Sequence, residues 1–485
     1  MESRARRAEV VRGAEVVRGA KGASVLAVLA LVAAACGGSH GGATPSTTAG
    51  GSTTPTSAAP TVVKFGTLDS PCGKGTATGA TATGVTKTQI SIGYGDDRGY
   101  SAAPGLDKEM SDAVTPMIKW CNDQGGINGR KIVGKNYDAQ VLQVTQVMTQ
   151  ACNDKIFMLV GQGFVLDANQ ETTRIGCKLS TIPGFAVGTA FASGSGMQQP
   201  IPNPGDEEAV SSAYQVAKLF PDAVKKAAFA YADFPATTET RDKAAAGYPK
   251  AGWKFLNCDQ HYNIAGESDW KPFASQLKSC GVQAVVWVGS PDPNLENFLN
   301  ASKQVGFTPI WVTDPNQYTA AFAKWNGENG GAADKVYVRQ TNVPFELADQ
   351  VPAVKQYMDL VQKSHGTIGL LGEQSTSAFL LFATAVKSCG SNVTAKCVLD
   401  AAAAQKDWTA GGLHIPTNPA DNTAPKCGML MKLDGPKWVK VVPSGSEVFD
   451  CNDNYVVKGI KTPAVTAAKL NAQRIATQFG TFTPK

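Results

Sequence analysis

"WCNDQGGINGRKIVGKNYDAQ", residues 120–140, decides the fold. It begins at the end of an amphipathic helix. Met110, Ala113, Val114, Met117, Ile118 and Cys121 fall at the i, i+3, i+4 spacing of one helical face. Pro116 interrupts the pattern and predicts a kink or a division of that helix. Gly125 and Gly126 supply a positive-φ stop, Asn128-Gly129 a second tight turn, and "RKIVGKNYDA" leaves as a strand. A helix that stops within two residues and reverses into a strand is the turn of a β-α-β unit.

The unit repeats along the chain. "KTQISIGYG" (87–95) and "IFMLVGQG" (156–163) read as strands, each followed by a helical pattern. After the Pro/Gly-rich passage "MQQPIPNPGDEE" (197–208) a second series begins, with strands at "KAAFAYAD", "WKFLNC", "VQAVVWVGS" and "TPIWVTD". "VQAVVWVGS" is apolar without alternation, as a strand covered on both faces is. Alternation of strand and helix predicts parallel sheets with helices on both sides. The expected fold class is therefore α/β, with two Rossmann-like lobes. "CGMLMKLDGPKWVKVVP" (427–443) predicts a hairpin turning at Asp434-Gly435 and extending one sheet edge.

In open parallel sheets ligands bind beyond the carboxyl ends of the strands. Those ends are "GYGDDRGYS", "GQGFVLD", "PGFAVG", "YADFPA", "GSPDP" and "TDPNQY", all rich in Gly, Pro and small polar residues. They nominate Gln162 as a hydrogen-bonding residue and Phe164, Phe185, Phe234 and Tyr318 as cleft aromatics. Asp96, Asp97 and Arg98 offer polar contacts or form a solvated loop. Trp287, inside an apolar run, reads as core.

The N-terminal end of the chain points to export. Six basic residues precede the apolar run 23–35, which at thirteen residues is too short to span a bilayer. Residues 1–35 read as a secretory signal. The run ends "LVAAACGGS", which resembles the lipobox of bacterial lipoproteins and implies lipidation of Cys36 and a lipid anchor on the outer face of the cell membrane. Residues 37–60, Gly/Ser/Thr/Pro-rich and nearly uncharged, read as a flexible tether, part of a segment drawn from 36 to 87. Beyond the signal stand 39 basic and 37 acidic residues, a net of +2 that gives no electrostatic case for nucleic acid.

Ten cysteines follow Cys36, an even number that implies disulfides in an exported chain. Neighbour spacing suggests Cys258–Cys280, Cys389–Cys397 and Cys427–Cys451. Cys72, Cys121, Cys152 and Cys177 pair in several possible ways. No CxxC occurs, and four histidines in the chain give no ligand set, so neither metal nor cofactor is expected. Catalytic signatures are missing as well. There is no G-x-S-x-G elbow and no G-x-x-x-x-G-K-[ST], and His261, His365 and His414 have no recognisable nucleophile partner in sequence.

"CNDQGGINGRKI" (121–132) resembles the N…GGI-x-G-(R/K)-x-(I/L) motif of the leucine/isoleucine/valine-binding protein family, the type I periplasmic solute-binding proteins of ABC importers. "GESDWKPFASQLKSCGVQAVVWVGS" (266–290) and "ASKQVGFTPIWVTD" (301–314) are similar to the same family's second lobe. The resemblance runs over about residues 90–318. It implies lobes joined by a three-strand hinge, with 88–203 and 336–425 in the first lobe and 204–335 and 426–485 in the second. It also implies a small amino-acid-like, amide or organic-acid solute held between the lobes by a monomer and passed to a membrane permease, with no catalysis. In amino-acid binders of the family, first-lobe hydroxyls hold the solute carboxylate. Here the loop is "GQGFVLDANQ", without a Ser/Thr cluster. An acidic residue of the second lobe meets the ammonium, and Asp314 matches it by position and charge; it equally suits a turn before Pro315. A ligand-sensing receptor domain and a secreted α/β hydrolase stand as alternatives.

Overall fold

The helix Glu109–Asp123 is continuous, with Pro116 buried inside it. Pro116 does not divide it, because the buried face packed on a neighbouring helix outweighs one lost backbone bond. The computed structural model describes residues 63–289 and 293–485; the signal, Cys36 and the 37–60 segment lie outside them. At Gly126 (φ 82°) a Cβ would lie 2.0 Å from the Arg130 carbonyl oxygen, so the turn requires glycine. Arg130 is fully buried. Its guanidinium donates to the carbonyls of Thr86 (3.0 Å), Thr78 (2.7 Å) and Gly390 (3.0 Å), tying three chain segments together. The GGI-x-G-R stretch is thus scaffold.

The first lobe holds β1 (Gln89–Asp96), β2 (Lys131–Asp138), β3 (Met158–Val160) and β4 (Thr181–Ile182). They are parallel in the order 2-1-3-4. The second lobe holds β5 (Ala227–Ala232), β6 (Gln260–Tyr262), β7 (Ala284–Val288), β8 (Ile310–Thr313) and β9 (Val336–Gln340). These are parallel in the order 6-5-7-8-9. Antiparallel β10 (Cys427–Asp434) and β11 (Lys437–Val442) extend the β9 edge as a hairpin. Strand order therefore reverses between β1 and β3 and again between β5 and β7, leaving a crevice at the carboxyl ends of each sheet.

The helix Leu370–Cys389 is buried on nearly every side, including Phe379 and Phe382, and packs against Glu109–Asp123. Its apolar stretch, residues 378–383, has no polar face, as a helix inside the body does, and its first turns bury Glu373, Ser375, Thr376 and Ser377. Its amino end points its first residues into the space between the lobes.

Three extended segments cross between lobes, near residues 197–209, 340–345 and 413–427. They run side by side: Val343 N donates to Leu413 O (2.8 Å), Ile415 N to Thr341 O (3.0 Å), and Thr417 Oγ1 to Pro200 O (2.5 Å). The C-terminal tail is a fourth link. Val456–Lys458 pairs with Glu207–Ala209. Beyond it Ala476 N donates to Ser193 O (2.7 Å) and Phe482 N to Ser195 Oγ (3.2 Å). Assignment of 426–485 to the second lobe leaves out these first-lobe contacts.

Disulfides join Cys258–Cys280, Cys389–Cys397 and Cys427–Cys451, the three neighbour pairs, together with Cys72–Cys121 and Cys152–Cys177. Cys72–Cys121 fastens the N-terminal arm to the Glu109–Asp123 helix. Phe65 of that arm is fully buried and Val85 is 3% exposed, so parts of the 36–87 segment pack against the body, while most of residues 73–84 are exposed.

Candidate binding cleft

A cavity of about 210 Å³ lies between the lobes at the carboxyl ends of both sheets. The first lobe contributes Asp107 from the loop after β1, Val165 after β3, the 184–187 turn after β4, and Leu370, Leu371 and Gln374 from the long helix. The second contributes Phe234, Ala236 and Thr237 after β5, Val288 and Gly289 after β7, and Asp314, Pro315 and Asn316 after β8. The crossing segments add Asn203, Glu208 and Arg339, and Lys243 reaches in from the helix Pro235–Gly247. Every contribution follows a strand end, a hinge or a helix facing them, as the double switch point requires.

Of the nominated residues, Phe185, Phe234 and Asp314 line this cavity. Phe185 lies directly against Gly163, where a Cβ would come within 2.3 Å of its ring, so the second glycine of "GQG" makes room for the aromatic. The other three side chains are packed elsewhere. Gln162 turns under the sheet and donates to Thr181 Oγ1 (2.6 Å). Phe164 is fully buried among Tyr137, Met148 and Leu159. Tyr318 is buried, its hydroxyl donating to Glu346 Oε2 and accepting from Phe345 N (2.9 Å). Asp96 binds Arg98 and Asp97 accepts from Val141 N (2.6 Å) and Val165 N (2.7 Å), so both shape the loop. Trp287 is core.

Sequence reading missed Asp107, Glu208, Lys243, Arg339, Asn316 and Gln374. Asp314 is already engaged: Arg339 Nε and Nη2 both reach its Oδ1 at 2.8 Å. Burial opposes the Arg339 charge, but Asp314 and Glu208 beside it prevail and hold its pKa above the ordinary value. Lys243 donates to Asn203 Oδ1 (2.9 Å) and Pro204 O (3.0 Å) and faces Glu208 Oε2 at 3.5 Å. Burial pushes Lys243 down and Glu208 up, and their mutual attraction opposes both shifts.

Asp107 differs from these. It is 6% exposed, has φ 55°, and its carboxyl makes no hydrogen bond among the described residues. Burial, and then the charges of Glu109, Asp97 and Asp96, push it well above the usual carboxylate range.

One histidine has a serine partner that the sequence did not reveal. His414 Nε2 is 2.8 Å from Ser377 Oγ, which accepts from Trp408 Nε1 (3.0 Å), while His414 Nδ1 lies 2.7 Å from Ile415 O. Ser377 and His414 are 0% and 2% exposed, so no substrate reaches the hydroxyl. Among the described residues no cluster is suited to a metal, and no helix is long and apolar enough to cross a membrane.

A family profile described as periplasmic binding protein matches residues 89–437. None of the curated protein sequences matches the chain. Among solved structures, the fatty acid ABC transporter substrate-binding protein of Thermomonospora curvata is similar at 16% identity and a TM-score of 0.61, over 77% of this chain and 95% of that one. The branched-chain amino acid binding protein LivJ of Streptococcus pneumoniae, in complex with isoleucine, has 16% identity, a TM-score of 0.58, and coverage of 73% and 100%. A solute-binding protein of R. palustris in complex with 4-hydroxybenzoate has 15% identity, a TM-score of 0.59, and coverage of 73% and 95%. All share the fold of two α/β lobes.

Proposed function

Because this chain belongs to the periplasmic binding protein family, a family of binding proteins rather than enzymes, we propose that it is the extracytoplasmic solute receptor of an ABC importer. In this reading residues 1–35 direct export and Cys36 carries the lipid that holds the protein at the outer face of the membrane. The lobes close on a small solute and present it to a permease. A solute drives closure only by binding the closed form more tightly than the open one.

The observation that carries this reading is the interlobe cavity, with apolar and charged groups contributed by both lobes and by the hinge. Such a mixture is what small-molecule sites use, apolar walls for contact area and a few polar groups for orientation. Phe185 and Phe234 would flank the solute body, and Asp314, held by Arg339, would present its unshared oxygen at the second-lobe wall. Gln162, Phe164 and Tyr318 would support the walls from behind. The solutes named for the neighbours, a fatty acid, isoleucine and 4-hydroxybenzoate, mark the range that this fold accommodates.

The test is a thermal-shift screen of the disulfide-bonded protein against branched and aromatic amino acids, amines, amides, aromatic acids and short polyols. A true solute at 100 times its Kd should stabilise the protein by about 2.7 kcal/mol. Phe185→Ala and Phe234→Ala should each weaken its binding at least tenfold. A panel without a single stabilising compound, or turnover of any member, would refute the reading.

A further inference from the structure

We propose that the solute carries a cationic nitrogen, such as a primary ammonium, and that the Asp107 carboxylate of the first lobe is its partner. This deepens the receptor reading above and rests on it. The charged groups lining the cavity divide into those already engaged and those left open. Arg339 spends Nε and Nη2 on Asp314. Lys243 spends its ammonium on Asn203, Pro204 and Glu208. Three acceptors stand open, beside the Arg339 Nη1 and Gln374 Nε2 nitrogens, which also have no hydrogen bond among the described residues. Asp107 is more than nine-tenths buried without a hydrogen bond among the described residues. Asn316 uses its amide nitrogen on Gly289 O (2.8 Å), which fixes its orientation and leaves Oδ1 unpartnered at the cavity. Gln374 Oε1 is likewise buried and unpartnered.

A buried polar atom without a partner costs about 1–3 kcal/mol. Three acceptors from both lobes, converging on one cavity, are all satisfied by a ligand that brings several N–H donors. A primary ammonium brings three. A carboxylate brings none and meets an acidic first-lobe wall, since Asp96, Asp97 and Glu109 lie close enough to act on Asp107 electrostatically. The apolar remainder of the cavity, Phe185, Phe234 and Leu371 among it, suits an aliphatic or aromatic body behind that nitrogen.

Two matched series test this by titration calorimetry: isopentylamine, isopentanol and isovalerate; benzylamine, benzyl alcohol and benzoate. The amine of each series should bind at least tenfold more tightly than its alcohol, with the acid weakest. Asp107→Asn should weaken the amine at least tenfold and the alcohol less than threefold. Burial already disfavours the charge on Asp107 before a solute binds, and asparagine is a neutral side chain of the same shape, so the variant's Tm should equal or exceed the parent's, and Asp107→Glu should keep part of the amine preference. An acid that binds tightest, or amine binding unchanged in Asp107→Asn, overturns the proposal. A stabilising compound without a cationic nitrogen, found in the wider screen, overturns it while leaving the receptor reading intact. Silence across both the series and the wider screen removes the two together.

Discussion

Arg339 places two guanidinium nitrogens on one carboxylate oxygen of Asp314, each at 2.8 Å. One residue ends strand β9 at the hinge and the other follows β8, so the pair braces the second-lobe wall of the cavity where the chain leaves for the first lobe.

Asp314→Asn should therefore act twice. It leaves Arg339 partly buried with only Glu208 to balance it. The side chains are 26% and 21% exposed, so the loss should be about 1–3 kcal/mol, short of the 3–5 for a fully buried pair. Urea unfolding measures this. The double variant Asp314→Asn/Arg339→Met should recover most of the stability, because no unpaired charge remains. If Asp314 instead served the solute alone, the single variant would lose binding with unchanged stability.

How legible the molecule was follows from what kind of contact sets each feature. Strand and helix alternation comes from local apolar patterning, so two α/β lobes, the hairpin at Asp434-Gly435 and the glycine turn at 125–129 were all readable. Phe185, Phe234 and Asp314 were reachable because strand ends are where open sheets bind. Gln162 and Phe164 stand at the same kind of position, but Gly161 turns the chain at φ 75° and sends the Gln162 side chain to Thr181, leaving Val165 at the cavity. Tyr318 looked exposed beyond a strand; its hydroxyl found Glu346 instead. Arg339, Glu208 and Lys243 carry no local signal, since a crossing segment or mid-helix position becomes part of the cleft only once both lobes are assembled. The C-terminal tail's return to the first lobe is equally nonlocal.

The disulfide Cys72–Cys121 closes a sequence separation of 49 residues and holds the N-terminal arm on the first lobe. Replacing both cysteines with serine should lower stability by about 2–4 kcal/mol, as expected for a loop of that length. Limited proteolysis should then cut within residues 63–87 before it cuts the lobes. Equal resistance in the variant would show that Phe65 and the Arg130 bonds to Thr78 and Thr86 suffice to hold the arm.

Arg474 links the tail to two of the crossing segments. Its Nε lies 3.0 and 2.9 Å from the Asp206 oxygens, and Nη1 is 3.0 Å from Asn422 O and 3.2 Å from Glu207 Oε1. Arg474→Met should release the tail, lower stability by about 1–2 kcal/mol, and loosen the angle between lobes. Small-angle scattering should show a larger radius of gyration without solute, and stopped-flow should show solute release at least threefold faster. The exposed pair Lys324–Glu328 provides the contrast. Lys324→Met should change stability by less than about 1 kcal/mol and leave the radius unaltered.

His414 gives the stability a defined pH dependence. Its ring is buried where a crossing segment meets the long helix, and burial pushes its pKa down to about 4 from an ordinary 6.5, although the nearby Ile415 carbonyl favours the charged form. The unfolded chain takes up a proton near pH 6.5, whereas the folded ring resists it until about pH 4. Between those values the unfolded state binds more protons, so this residue's contribution is fully present above pH 6.5 and is lost as pH falls toward 4. The loss over that window is on the order of 3 kcal/mol. Since other groups titrate in the same range, the informative quantity is the difference between the parent and His414→Gln. Glutamine can accept from Ser377 without charging, so unfolding free energies measured from pH 4 to 8 should fall less steeply on the acid side in the variant. Ser377→Ala should behave differently. It strands Trp408 Nε1 and His414 Nε2 together, costs about 1–3 kcal/mol at all pH values above 6.5, and leaves solute affinity within twofold. Parallel acid limbs for the parent and His414→Gln would show that His414 titrates alike in the folded and unfolded chain, and that the buried Ser377–His414–Trp408 chain does not set the acid limit of the fold.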